Sequence, residues 1–237
     1  MSDWKQKRFW TEVGVAQVDG GYAVQLDGRG VKTPAKAALN VPTKALGDAI
    51  AAEWDAQVDI VNPNTMPFTR SANAAIDKVR IQHAEVADML AAYGDADMLC
   101  YRATDPIELV DRQSKEWDPV LVWAASELDA SLETRGGIMH VPQAELPLRT
   151  LSAKTHALSN FELAAFHDLV SLSGSLILGF AAAYGYAAVD ELWTKSRLDE
   201  LWQEELWGPD DEAQALANIK KEAFLHAKRF FDASQLG

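Results

Sequence analysis

With 237 residues, 48% of them hydrophobic, the chain can bury the core of one large domain or two small ones, and disorder is not expected. Its 35 acids against 22 bases give a formal charge of −13, which works against binding nucleic acid or an anionic membrane. One cysteine, Cys100, excludes an intramolecular disulfide and a multi-cysteine metal site, and favours a reducing compartment.

Residues 1–10 hold no apolar core of a signal peptide and no long Arg/Ser-rich leader, so a cytoplasmic chain is expected. Residues 8–41 read as strand and turn. Val13, Val15 and Val18 precede Asp19-Gly20-Gly21, and Tyr22, Val24 and Leu26 alternate up to Asp27-Gly28-Arg29-Gly30, which predicts two successive hairpins. From Thr43, a plausible cap, the period turns helical, with Leu46, Ala49, Ile50, Trp54 and Gln57 on one stripe. A second helix is expected from about Ser71, with Ala72, Ile76, Val79, Val86, Leu90 and Tyr93 on its stripe, stopping at Gly94.

A further helix is expected over 106–117, and Asp118-Pro119 reads as the start of another that Gly136-Gly137 ends. Ser159 and Glu162 have capping-box spacing. The uncharged run Leu169–Val189 is long enough for a membrane span, but its serines, glycines and acidic flanks favour a buried helix or two apposed helical pieces. An amphipathic stretch over 190–206, then Pro209, then a terminal helix near 210–233 complete the chain. The expected fold is α+β, with a small antiparallel β-rich domain and its packed helices over 1–100 and a helical bundle over 101–237. The boundary falls between 95 and 140.

Enzyme motifs are missing. No Gly-rich loop carries the lysine and hydroxyl that would cradle a nucleotide, and Asp27-Gly28-Arg29-Gly30 sits between strands, as a hairpin turn does. The five histidines are scattered without metal-ligand spacing, so neither a metal nor another cofactor is expected. Glu53 with Asp55, or Glu204 with Glu205, could supply acid and base, but positions one or two apart on a helix do not face each other. Cys100 reads as a buried structural thiol. One constellation stands out. Residues 190–213 hold nine acids against Lys195 and Arg197, interleaved with Trp193, Trp202 and Trp207. Such a mixture suits a protein-binding edge, in which rings give anchoring area and carboxylates orient a basic partner; it suits equally an amphipathic helix with tryptophans in its core.

Several words of the sequence occur together and in this order in one family: Arg8-Phe9-Trp10, Leu26-Asp27-Gly28-Arg29 with Thr33-Pro34, Glu53-Trp54-Asp55-Ala56-Gln57, Met66-Pro67-Phe68-Thr69-Arg70, Asp97-Met98-Leu99-Cys100-Tyr101-Arg102, and Arg197-Leu198-Asp199-Glu200 through Gln203 to Trp207-Gly208. Over nearly its whole length the chain resembles the assembly chaperones of the ATP synthase α subunit. The resemblance implies a non-catalytic chaperone that binds the unassembled α subunit of F-type ATP synthase, prevents its aggregation and promotes assembly of the catalytic hexamer. It implies no nucleotide hydrolysis, so no nucleotide is expected, and the acidic charge adds the expectation of no nucleic acid and no membrane insertion. Mitochondrial members carry a leader, so a bacterial or processed form is expected here, cytoplasmic in a bacterium and in the mitochondrial matrix for eukaryotic relatives.

The family's sensitive positions carry over to Trp54 and to an acid after Trp207-Gly208, here Asp211. Together with the acidic segment this gives an expected client-binding set of Asp199, Glu200, Glu204, Glu205, Trp207, Asp211 and Glu212. Trp54, Gln57, Arg29 and Pro67 are expected to be structural, with Trp54 packing on the stripe of Leu46 and Ile50. Two other readings stay open. One is a small acidic enzyme using Glu53 or Asp97 with Arg102 in a cleft; the other is a scaffold for a different partner.

Overall fold

The computed structural model describes residues 7–235. The chain divides into two units, neither of them continuous in sequence. Unit 1 comprises the chain up to His83, Ser159–Ala165 and everything from Arg229 on; unit 2 comprises Ala84–Leu158 and Phe166–Lys228.

Unit 1 is built on the expected hairpins. Strands β1 (Val13–Val18) and β2 (Gly21–Leu26) pair antiparallel from Val13 opposite Leu26 to Val18 opposite Gly21. β2 then turns into β3 (Arg29–Gly30), and its other end pairs with β4 (Asn40–Val41). The β2–β3 turn is tight because Asp27 and Gly28 both adopt positive φ, 48° and 77°, the two-residue hairpin geometry that Asp-Gly suits. Asp27 also earns its place with its side chain, which accepts from the Glu12 and Thr11 amides at 2.8 and 3.0 Å and from the Thr11 hydroxyl. Those donors hold its carboxyl below the usual range.

Helix α1 (Lys44–Asp55) begins where Thr43 caps it, the Thr43 hydroxyl oxygen accepting from the Leu46 amide at 3.1 Å. It lies on the sheet with Leu46 and Ile50 fully buried, beside Val24, Leu39 and Val41 of the same core. The expected helix from Ser71 to Gly94 is several pieces. α2 (Pro67–Ala74) starts four residues earlier than expected, passes into a π-helical turn (Ala75–Val79), and a break precedes α3 (His83–Ala91) and a 3-10 turn (Ala92–Ala96). The earlier start follows from Pro67, which fits a first helical position.

Unit 2 is helical apart from one short parallel pair, β5 (Tyr101–Arg102) with β6 (Arg135–Gly136). Helix α4 (Ile107–Glu127) corrects two expectations. It is one helix rather than two, and it stops at Glu127, well before Gly136-Gly137. Pro119 lies inside it on the exposed face, where the Lys115 carbonyl that loses its amide partner can be hydrated. Then follow α5 (Glu145–His156), α6 (Asn160–Ser173), whose residues up to Ala165 belong to unit 1, and α7 (Leu176–Ala183). At the start of α6, the Ser159 amide donates to Glu162 Oε2 at 2.8 Å and the Glu162 amide to Ser159 Oγ at 3.2 Å, the reciprocal capping box.

The uncharged run resolves into the end of α6 and the whole of α7, every residue of which is buried. No helix among the described residues is long and apolar enough to cross a membrane. Gly179 allows α7 its close approach to α6, since a Cβ there would fall 2.6 Å from Val170 Cγ2. The stretch 190–206 breaks at Arg197 into α8 (Val189–Ser196) and α9 (Leu198–Trp207). Gly208-Pro209-Asp210 then leads into α10 (Asp211–Ser234), where Asp210 Oδ1 accepts from the Ala213 amide at 2.8 Å.

Candidate client-binding surface

The acids of α9 are partly neutralised by residues far away in sequence. Arg112 of α4 donates two bonds to Glu205, both 2.7 Å, which hold the Glu205 carboxyl below and the Arg112 guanidinium above their usual ranges. Gln113 donates to Asp199 at 2.7 Å. Arg197 bonds Glu200 at 3.0 Å and stands 3.8 Å from Glu204. Asp211 and Glu212, in the first turn of α10, are exposed and have no hydrogen bond or ion pair among the described residues. The acid that caps α10 is Asp210, one residue before the position carried over from the family.

The three tryptophans of the segment divide between core and surface. Trp193 is buried against Phe224, with ring centroids 5.6 Å apart. Trp202 is half-buried under the Arg112 guanidinium, 5.7 Å from its ring centroid. Trp207 is 77% exposed, at the tip where α9 ends. Near it in sequence, Leu206, Leu216 and Ile219 are 57, 53 and 68% exposed. Between α9 and α10 runs a groove of about 350 Å³, lined by Trp207, Ala213, Leu216 and Ala217 together with Glu200, Gln203, Glu204, Asp210 and the bases Arg197 and Lys220. From Asp211 to Lys220, Ala217 is the only residue of α10 that is not exposed. An exposed tryptophan in a segment that also holds the unpaired Asp211 and Glu212 has the make-up of a protein-binding surface.

The residues expected to be structural lie in unit 1, and three of them belong to one interlocked cluster. Trp54 is 8% exposed and meets Trp10 edge-on at 5.2 Å. Arg8 lies over Trp10 and donates to the Asp55 and Gln57 carbonyls at 2.6 and 2.5 Å. The Gln57 side chain donates to the Glu53 carbonyl at 3.0 Å and accepts from the Asn62 amide at 2.7 Å. Glu53 accepts from the Phe68 and Thr69 amides at 2.6 and 2.8 Å, so its carboxylate caps the helix that Pro67 opens. Arg29 is exposed in β3.

A model of the ATP12 chaperone protein family matches residues 7–125. The chain belongs to that family. It is 46% identical to the crystal structure of Atp12 from Paracoccus denitrificans, with a TM-score of 0.96 over 98% of this chain and 100% of that one. The structure of an aspartate-to-lysine variant of P. denitrificans Atp12p matches with the same identity and TM-score over 99% of this chain and 100% of that one. Mitochondrial protein atp12 of Schizosaccharomyces pombe is 26% identical over 224 residues, covering 90% of this chain and 77% of that protein. The ATP12 family consists of chaperones and not of enzymes.

That membership overturns the acidic-enzyme reading, and the carboxylates on which it rested have other work in this ATP12-family chain. Glu53 is a helix cap, its carboxyl raised by burial. Asp97 is fully buried and accepts from the Leu99 amide at 3.0 Å and from the Ser175 hydroxyl and the Ile177 amide at 2.9 Å, fixing the start of α7. Arg102 is engaged by Asp118 at 2.7 Å and lies over Trp117. Burial and the nearby Asp97 charge push the Cys100 thiol up to about 12, which leaves it inert. What the sequence did not yield is the second wall of the groove. Ala213, Leu216 and Ala217 are ordinary helix formers, and only their position opposite α9 gives them meaning.

Proposed function

We propose that this protein holds the unassembled α subunit of an F-type ATP synthase in the bacterial cytoplasm, shielding it from aggregation until assembly, without nucleotide or other cofactor. The observation that carries the site is the exposed Trp207, four residues before the unpaired Asp211 and Glu212, lining a groove with Ala213, Leu216 and Ala217. Family membership supports the chaperone activity, and the ordered words quoted above support the client. A subunit awaiting assembly exposes apolar surface that it will later bury, and such surface drives aggregation. A chaperone covering it must bind moderately, because the true neighbour has to displace it.

Refolding α subunit should scatter less light as near-stoichiometric protein is added, with or without ATP. Absence of protection at any ratio, or a requirement for ATP, would sink the proposal.

Charge reversal tests the surface. Glu204 and Glu205 are poor sites for it because lysines there disturb the Arg197 and Arg112 pairs. Asp211→Lys/Glu212→Lys breaks no pair and should cost about 1 kcal/mol or less through the helix dipole. Capture of α subunit should slow about fivefold at low salt, and the difference should vanish as salt screens the charges. Equal capture rates at low salt would mean that these acids are only solvated.

A further inference from the structure

We propose that the groove between α9 and α10 seats a short amphipathic helix of the client, apolar on one face and flanked by lysine or arginine. This deepens the proposed function and rests on it, since it says how the client is gripped.

The walls argue for a helix. On α9 the lining residues are Glu200, Gln203, Glu204 and Trp207; on α10 they are Ala213, Leu216, Ala217 and Lys220. Each set follows the spacing i, i+3, i+4, i+7, so each wall is one face of a helix two turns long, about 10 Å. Two such rows flank a trough that suits the ridge of a third helix. A β-strand would need a free backbone edge, and helical walls, bonded internally, have none to offer. The volume, about 350 Å³, is at the small end of ligand sites and accepts a few side chains rather than a folded surface.

The chemistry argues for basic flanks. Leu216 and Trp207 supply apolar area that the structure leaves in water, in a stretch of α10 that is exposed on almost every side. At the tip Asp210, Asp211 and Glu212 follow one another, and the first base after them is Lys220. A client helix with cations near the tip gains attraction there, whereas an acidic helix meets repulsion.

Two variants change the groove without touching an acid. Ala213→Trp fills it and Leu216→Ala removes its largest α10 anchor; both residues are exposed, so both variants should keep the parent's melting curve. The probe is a fluorescein-labelled peptide of leucine and lysine, about four turns long, read by anisotropy, beside a scrambled peptide with no apolar face and one with glutamate for lysine. The parent should bind the basic amphipathic peptide at least about tenfold more tightly than either control, and each variant should lose at least about tenfold in affinity for it, with a parallel loss in holding α subunit. Equal binding of all three peptides, or no binding, overturns the helix seat. Variants that protect α subunit as well as the parent also overturn it, and the parent's own light-scattering result then stands separately. Self-association of the parent that Ala213→Trp abolishes would make a second copy the occupant and overturn it as well.

Discussion

Replacing Asp97 with alanine is expected to destabilise the protein by about 3–5 kcal/mol, because it strands buried donors that each cost about 1–3 kcal/mol unpaired. The Leu99 amide, the Ser175 hydroxyl and the Ile177 amide all point at this carboxylate, in a place with no exposure to water. Desolvation nevertheless outweighs those donors and pushes the carboxyl from 3.8 up to about 6. The folded protein therefore keeps this proton to higher pH than the unfolded chain does. Its contribution to stability is greatest below pH 4, falls as pH rises from about 4 to about 6, and is level above. Asp97→Asn cannot titrate. Urea unfolding at pH 4, 5, 6 and 7 should show the parent's stability relative to Asp97→Asn decreasing across that window. A constant difference would mean that Asp97 does not titrate there.

Trp54→Ala should cost a similar amount, about 3–5 kcal/mol, the usual range for emptying a large aromatic site. The ring is buried against Trp10, which also packs with Phe9 and Arg8, so its loss leaves a cavity in the cluster that ties residues 8–10 to the end of α1. The Trp54 indole nitrogen has no hydrogen-bond partner among the described residues. Trp54→Phe therefore gives up volume but no bond, and should cost less than about 1.5 kcal/mol. Thermal melts followed by circular dichroism should rank parent, Trp54→Phe and Trp54→Ala in that order. If Trp54→Ala melts with the parent yet fails to hold client, the residue belongs to the binding surface.

The parts of this fold legible in the sequence are those fixed by local chemistry. Asp27-Gly28 can turn a hairpin almost alone, Thr43 and the Ser159/Glu162 pair cap their helices, and the uncharged run Leu169–Val189 supplies the fully buried helix α7. The misreadings fall where distant packing overrides local preference. The stripe from Ala72 to Tyr93 is continuous in apolar content, but a π-helical turn and a break divide it. Pro119 looks like a helix start and sits inside a helix because its face is wet. The β5–β6 pair joins two-residue segments 34 positions apart and leaves no periodic trace. The candidate surface behaves likewise. Its excess of acid was readable, but Glu205 is matched by a base 93 residues away, and the sorting of Trp193, Trp202 and Trp207 depends on neighbours from other helices.

The discontinuity of unit 1 bears on how the protein is made. Its hairpins and α1 leave the ribosome early, yet Phe230, which packs with Phe68 and Phe161, belongs to the last turns of α10. Ala233, whose carbonyl accepts from the Thr43 hydroxyl at the cap of α1, is synthesised 190 residues after its partner. While those residues are still inside the exit tunnel, unit 1 lacks a wall of its core and must wait in a partly open state. This chaperone therefore completes its own first unit only once Phe230 and Ala233 have left the exit tunnel, and a nascent chain stalled before that point would itself display the kind of unburied apolar surface that a chaperone recognises.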